Sequence, residues 1–169
     1  MVNNPPKSSP FTELSSSPSQ GIRGELSLFS PAKLNLFFRV LHRREDGFHE
    51  IASLYQAISL GDTLTVALAE EDQFTCDHPT LPRDASNLVC RAVALFREQT
   101  GSAARYRIHL SKKIPVESGL GGGSSNAATV LWGCNALTGS RIPIEKLAQW
   151  GALLGSDVPF RRKDRSKVD

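Results

Sequence analysis

The stretch GLGGGSSNAA, residues 119–128, restricts the possible folds and functions of this sequence more than any other stretch. Four glycines occupy five consecutive positions, and Ser124, Ser125 and Asn126 follow at once. Glycines let main-chain N–H groups approach an anion, and a helix that starts here adds its unpaired N-terminal donors. The three polar residues are of types that cap helix N-termini. The stretch therefore predicts a phosphate-binding loop that leads into a helix.

Two familiar phosphate-binding loops fit this stretch poorly. A Walker A loop ends in Gly-Lys-Ser or Gly-Lys-Thr, and no lysine lies between Gly119 and Ala128. A dinucleotide-binding loop needs a third glycine where Ser124 stands, and the strands predicted before the loop form a meander rather than a βαβ unit. A flexible glycine turn with no ligand remains the alternative for the loop taken alone.

The composition is that of one soluble globular domain. The chain has 169 residues, of which 40% are hydrophobic and 22% charged. The net charge of +3 equals that of residues 161–169, which hold five basic and two acidic side chains, so no general nucleic-acid surface is predicted. No run approaches the roughly 18 apolar residues of a membrane helix, so no membrane partner is predicted either.

The three cysteines indicate neither a disulfide framework nor a zinc site. Cys76, Cys90 and Cys134 are odd in number and form no Cys-x-x-Cys pair. A reducing compartment fits this usage best.

Residues 1–24 are rich in proline and serine and predict a disordered arm. A remnant of a plastid transit peptide is the alternative, although Lys7 and Arg23 are the arm's only basic residues. The folded domain is predicted to span residues 25–160, and residues 161–169 form a basic tail.

Hydrophobic periodicity predicts strands before the glycine loop. In KLNLFFRV, apolar residues at positions 34, 36, 38 and 40 alternate with Lys33 and Asn35, which predicts a half-buried strand with both polar residues on one face. Further strands are predicted over residues 48–60, 62–68 and 105–110.

Three segments instead have the period of helices. One starts after Ser86 or Asn87 and ends before Gly101, an alanine-rich one follows the loop to about Leu137, and the last runs from Pro143 to Gly155. The predicted fold class is α+β, an antiparallel or mixed sheet with helices on one face.

Four segments carry a resemblance to a known family. SPAKLNLFFRV, REDGFHEI, KKIPVESGLGGGSSNAATVLW and LLGSDVPF lie in this order between residues 30 and 160. Together they resemble the 4-(cytidine 5′-diphospho)-2-C-methyl-D-erythritol kinases, enzymes of the GHMP superfamily in the non-mevalonate isoprenoid pathway. The glycine loop alone would indicate only the superfamily.

The resemblance implies a fold like the N-terminal domain of GHMP kinases and an ATP-dependent phosphorylation of the 2-hydroxyl of that cytidine diphosphate derivative. It implies that Asp157 is the catalytic base and that Lys33 and Asn35 lie beside the reacting hydroxyl and phosphates. It also implies that Phe48 stacks on the cytosine and that His49 hydrogen-bonds it. Phe48 stands where many relatives have tyrosine, a change that keeps the stacking face.

The same resemblance implies that ATP and Mg²⁺ bind at the glycine loop, where Ser124 or Ser125 would help to hold the metal. The implied ATP-binding residues are Pro115, Gly119, Leu120, Gly121, Gly122, Gly123, Ser124, Ser125 and Asn126.

Each of these side chains also has an ordinary explanation when taken singly. Lys33 and Asn35 would be solvated strand residues, Asp157 a loop residue, His49 a structural histidine and Phe48 a core residue. The order and spacing of the four segments favour the functional interpretation.

In the resembled family, the chain continues past the DVPF segment into a second domain, whereas here RRKDRSKVD follows. We therefore expect a chain truncated at its C-terminal side, with weak or absent kinase activity. The alternative function is a non-catalytic nucleotide-binding fragment or partner-binding module. The expected compartment is the plastid stroma in a plant or alga and the bacterial cytoplasm otherwise.

Overall fold

A computed structural model describes residues 24–43, 47 and 49–158. Phe48, the tail at 161–169 and all of the arm except Gly24 lie outside the described residues. The elements in chain order are β1 Glu25–Arg43, β2 His49–Ala69, β3 Gln73–Cys76, α1 Leu88–Thr100, β4 Arg105–Ser111, α2 Gly122–Thr138 and α3 Ile144–Leu154. Within the described ranges, no helix is long and apolar enough to cross a membrane.

The four strands form one mixed sheet in the order β1-β2-β4-β3. β1 and β4 both run antiparallel to β2, and β3 runs parallel to β4. Along β4, Tyr106, Ile108 and Leu110 are buried, whereas the residues between them are exposed. One face of the sheet is therefore covered by the helices, which confirms the predicted α+β class and the mixed sheet.

Helix α1 matches its prediction at both ends. Asn87 Oδ1 accepts the Val89 N–H at 2.9 Å, and Gly101 closes the helix in the left-handed conformation at φ 68°. On its buried side, Phe96 meets Trp150 of α3 edge to face, with ring centroids 6.3 Å apart. Helices α1, α2 and α3 thus share one hydrophobic core with the sheet.

The cysteines are core or near-core residues. Cys76 and Cys134 are buried, and Cys90 is half-buried. Burial raises the pKa of Cys90 and raises that of Cys134 to about 12. Both are neutral thiols near pH 7, so they serve packing.

The predicted break between strands at Gly61 is wrong, because β2 continues through this residue. Glycine is favoured there by a close cross-strand approach: a Cβ atom on Gly61 would lie 2.8 Å from the main-chain Ser30 O and would also meet the Phe29 ring. A glycine inside a strand pattern can mark such a close approach rather than a turn. The short strand β3 was not predicted.

The predicted half-burial of β1 beyond Lys33 is also wrong for this chain. Leu34, Leu36 and Val40 are 42%, 60% and 49% exposed. The reason is that β4 pairs with β2 only over residues 63–69, so residues 33–43 and 49–60 extend past it as a two-stranded ribbon. We refer to these residues as the β1–β2 ribbon.

Candidate active site

The glycine loop leads into α2, and the first backbone donors of this helix have no acceptor within it. Gly121 is the N-cap at φ 70°, no side chain caps the helix, and the first intrahelical bond runs from Ser125 N–H to Gly121 O at 2.9 Å. The N–H groups of the three residues between them therefore have no intrahelical acceptor. An anion bound at this end of α2 would be favoured by these donors and by the helix dipole.

The prediction that Ser124, Ser125 or Asn126 caps this helix is wrong, because all three lie inside it. Ser125 and Asn126 are buried, and both contact Ser30 of β1. Ser30 Oγ lies 2.9 Å from Ser125 Oγ and donates to Asn126 Oδ1 at 2.7 Å. Ser125 is therefore part of a buried contact between the sheet and α2.

A cleft of about 340 Å³ lies against the loop. Its walls combine the loop backbone with apolar side chains and one lysine. The predicted ATP-binding residues that line it are Pro115, Gly119, Leu120, Gly121, Gly122, Gly123, Ser124 and Asn126. The other lining residues are Leu81, Pro82, Ser86, Asn87, Leu88, Leu110, Lys112, Val116, Glu117 and Ser118. Ser125 is the one predicted ATP-binding residue that is not part of the cleft wall.

Lys33 connects this loop to Asp157. Its main-chain N–H donates to Leu120 O at 2.9 Å, and its Nζ donates to Asp157 Oδ2 at 2.9 Å. A Cβ atom on Gly121 would lie 2.9 Å from the Lys33 side chain, so the lysine stem runs directly against the loop. The side chain of Lys33 is 5% exposed and that of Asp157 is 42% exposed. Neither residue lines the cleft, although the Lys33 stem packs against the loop that does.

Tyr55 of β2 completes the surroundings of the Lys33 ammonium. Nζ lies 4.1 Å from the centroid of the Tyr55 ring, a cation–π contact. Sequence reasoning missed this residue, and its position opposite Asn35 in the β1–β2 pairing is not visible in any local motif.

The structure describes the predicted acceptor-binding residues only in part. Asn35 is exposed on β1, while Lys33 is buried, so the two do not share one environment. A register shift follows Asn35 in the pairing with β2, and another precedes Lys33. The backbone of His49 pairs with Arg43, at the end of the ribbon remote from Lys33.

Sequence reasoning also missed a second lysine–carboxylate pair. Lys112 Nζ donates to Asp62 Oδ2 at 2.9 Å, with side chains 5% and 0% exposed. The signal available in the sequence was the KKIP segment directly before the loop. Asp62, fifty residues earlier, gave no such signal.

The fold and the glycine loop define the class of protein. The family model of the GHMP kinases N terminal domain matches residues 87–161, from the start of α1 to just past Asp157. A crystal structure of a 4-(cytidine 5′-diphospho)-2C-methyl-D-erythritol kinase superposes with a TM-score of 0.67 at 39% identity, over 80% of this chain and 48% of that one. The chain therefore contains a GHMP-kinase N-terminal domain.

Sequence relatives narrow the family further. The 4-diphosphocytidyl-2-C-methyl-D-erythritol kinase of Protochlamydia amoebophila is 54% identical over 135 residues, which are 80% of this chain and 47% of the relative. The enzyme named chloroplastic from Arabidopsis thaliana is 47% identical over 138 residues, 80% of this chain and 36% of the relative. The chain is thus similar to these kinases over 80% of its own length, and it spans less than half the length of these two relatives.

Proposed function

We propose that this chain carries the nucleotide-binding and phosphoryl-transfer residues of a kinase that uses ATP to phosphorylate the 2-hydroxyl of 4-(cytidine 5′-diphospho)-2-C-methyl-D-erythritol. The observation that carries the proposal is the double attachment of Lys33. Its N–H bonds the glycine loop, and its ammonium bonds Asp157. A phosphate-binding backbone, a cation and a carboxylate with an open side are thus brought together from segments up to 124 residues apart.

These groups match what phosphoryl transfer to an alcohol needs. The reaction depends on positioning and on stabilising charge at the transferred oxygens rather than on covalent catalysis by the protein. The free N–H groups at the start of α2 would bind the phosphates of ATP. Asp157 would accept the proton of the acceptor hydroxyl, and Lys33 would orient Asp157 and stabilise the transferred charge.

Mg²⁺ fits this site as a partner of the nucleotide rather than of a preformed protein cage. Among residues 24–43, 47 and 49–158, no group of three or more His, Cys, Asp or Glu side chains is placed to hold a metal. Mg²⁺ commonly takes one or two protein ligands together with phosphate oxygens and waters. Ser124 lines the cleft whereas Ser125 bonds Ser30, so Ser124 is the better candidate. When bound, the ion neutralises charge on the phosphates.

The acceptor would lie on the side of Lys33 that faces the ribbon. We assign Asn35 to its hydroxyl or phosphate groups, Phe48 to stacking on the cytosine and His49 to hydrogen bonding with it. Because His49 pairs with Arg43, these assignments require an extended acceptor that follows the ribbon. We assign the protein to the plastid stroma in a plant or alga and to the bacterial cytoplasm otherwise.

The test measures ATP binding and acceptor-dependent ADP release by the purified 169-residue chain, with Asp157→Asn as the matched variant. We expect ATP binding in both proteins and weak ADP release in the wild type that requires the acceptor and is lost in Asp157→Asn. A folded wild-type chain that does not bind ATP would contradict the proposal.

A second candidate function rests on the exposed β1–β2 ribbon. Leu36, Phe37 and Leu54 of the ribbon are each at least half exposed, which is unusual for large apolar side chains on neighbouring strands. This favours a nucleotide-binding fragment or partner-binding module. ATP binding with no acceptor-dependent ADP release at any acceptor concentration would favour it over the kinase.

A further inference from the structure

The segment that enters the glycine loop is held by one buried carboxylate. Asp62 is fully buried, and its Oδ1 accepts the N–H groups of Lys113 at 2.7 Å and of Ile114 at 2.8 Å. Its Oδ2 accepts from Lys112 Nζ at 2.9 Å, and the same ammonium also donates to Ile114 O. Three consecutive residues between β4 and the loop are thus fixed to one side chain.

The segment that leaves the loop is held by a buried hydroxyl on the neighbouring strand. Ser30 Oγ contacts both Ser125 and Asn126, in the second turn of α2. Ser30 and Asp62 are direct partners in the β1–β2 register, so the two anchors lie side by side in the sheet. They bracket residues 115–124, which line the cleft, from both ends.

The segments that enter and leave the loop also contact each other. A Cβ atom on Gly122 would lie 3.0 Å from Ile114 Cγ2 and 3.0 Å from Lys112 Nζ. The first N–H donors of α2 are therefore packed on the residues that Asp62 holds. A shift of residues 112–114 would move those donors, because no space separates the two segments.

We propose that Asp62 and its cross-strand partner Ser30 are positioning residues for phosphate binding by the glycine loop, an inference that rests on the proposed nucleotide-binding function. Asp62 is buried beneath the loop and acts through residues 112–114, and Ser30 acts through α2. Neither contributes to the apolar wall of the cleft. Their loss should therefore weaken the binding of phosphates and leave the binding of an uncharged nucleoside unchanged.

The experiment compares the affinities of ATP and adenosine for Asp62→Asn, Ser30→Ala and a matched control, Asp72→Asn. Asp72 accepts hydrogen bonds from Arg97, Arg105 and the Tyr106 N–H, so it anchors the opposite end of the same strand β4. We expect Asp62→Asn to raise the Kd of ATP about tenfold and Ser30→Ala about threefold, with the Kd of adenosine unchanged. Asp72→Asn should lower the Tm by about 5 °C and leave both affinities unchanged.

The outcomes separate this inference from the function on which it rests. A folded wild-type chain without ATP affinity would overturn the proposed function. ATP affinity equal to wild type in folded Asp62→Asn, or an equal loss of ATP and adenosine binding, would overturn only the positioning role. If Asp62→Asn does not fold, Ser30→Ala provides the test, because unchanged ATP affinity in that variant overturns the positioning role of the two residues.

Discussion

Two lysine–carboxylate pairs flank the glycine loop, and they differ chiefly in the exposure of the carboxylate. Lys33–Asp157 and Lys112–Asp62 both have an N···O distance of 2.9 Å and a lysine side chain that is 5% exposed. The carboxylate of Asp157 is 42% exposed and has one described donor, whereas that of Asp62 is 0% exposed and has three. Equal distances thus conceal two different environments of the carboxylate.

The difference follows from where each carboxylate lies in the chain. Asp157 follows α3 in an irregular segment, and its side chain is 42% exposed, so part of it faces solvent and could meet a ligand. Asp62 lies within β2 under the turn that follows β4, where backbone N–H groups saturate it. An open carboxylate can exchange a proton with a ligand, but a saturated one can only hold its donors in place.

The largest expected effect is on stability, and it should differ between the two lysine–carboxylate pairs. Lys112→Met should lower the free energy of unfolding by about 3 kcal/mol, because it leaves the charge of Asp62 buried without its cation. Lys33→Met should cost about 1 kcal/mol, since Asp157 is exposed enough to be solvated in the variant. Urea denaturation at pH 7 measures both. Equal losses would show that burial of the carboxylate does not distinguish the pairs.

The second prediction concerns activity, for which Asp157 should matter more than its small effect on stability suggests. Asp157→Asn should lower acceptor-dependent ADP release about 100-fold, equivalent to about 2.7 kcal/mol in the barrier, because the amide cannot accept the hydroxyl proton. The Tm should change by no more than about 2 °C, as expected for an exposed side chain. The control is Asp72→Asn, which removes a carboxylate far along β4 and should keep wild-type ADP release. Retention of activity in Asp157→Asn would show that Asp157 is not the catalytic base.

The third prediction uses two glycines of the loop that share one backbone conformation. Gly119 and Gly121 have φ of 76° and 70°, so alanine at either position should cost about 1 kcal/mol in the left-handed region. At Gly121 the new Cβ would also meet the Lys33 stem at 2.9 Å, whereas nothing lies within 4 Å at Gly119. We expect Gly121→Ala to cost about 2 kcal/mol in total, because Lys33 is bonded at both its N–H and its Nζ.

Calorimetry and ATP titration of the two alanine variants test this difference. Gly121→Ala should also weaken ATP binding, since displacement of the loop moves the donors at the start of α2. Identical stability and affinity in the two variants would mean that Lys33 moves aside without cost and does not position the loop.

The features predicted from the sequence are those whose causes are local. Helix α1 was predicted at both ends because Asn87 and Gly101 act within one turn of the residues they cap. The loop before α2 was recognised because its glycines are adjacent. The roles proposed for Lys33 and Asp157 come from the resemblance rather than from the residues themselves, since 124 positions separate the two.

The features that were missed depend on contacts between distant segments. Gly61 was interpreted as a break, yet it makes room for Phe29 on the neighbouring strand. Ser125 was interpreted as a cap or metal ligand, yet it contacts Ser30, 95 residues earlier. The pair of Asp62 and Lys112 required the register of β2 and β4 before it was visible.

The smallest expected effect concerns Asp72, a half-exposed carboxylate that provides a surface reference for the two pairs. Partial burial acts to raise the pKa of Asp72, but hydrogen bonds from Arg97, Tyr106 N–H and Arg105 outweigh it and lower the pKa to about 2. Because the pKa in the folded state is below the unfolded value of about 3.9, the ionised carboxylate stabilises the fold above that value, and this contribution is lost as the pH falls toward 2.

Asp72→Asn should therefore cost about 1 kcal/mol at pH 7, a value discounted for exposure, and progressively less between pH 4 and pH 2. Urea denaturation of both proteins across this range measures the difference in unfolding free energy. A difference that stays constant with pH would show that packing rather than charge holds this end of β4, and Asp72 would then not be a valid reference for the buried carboxylate at the other end.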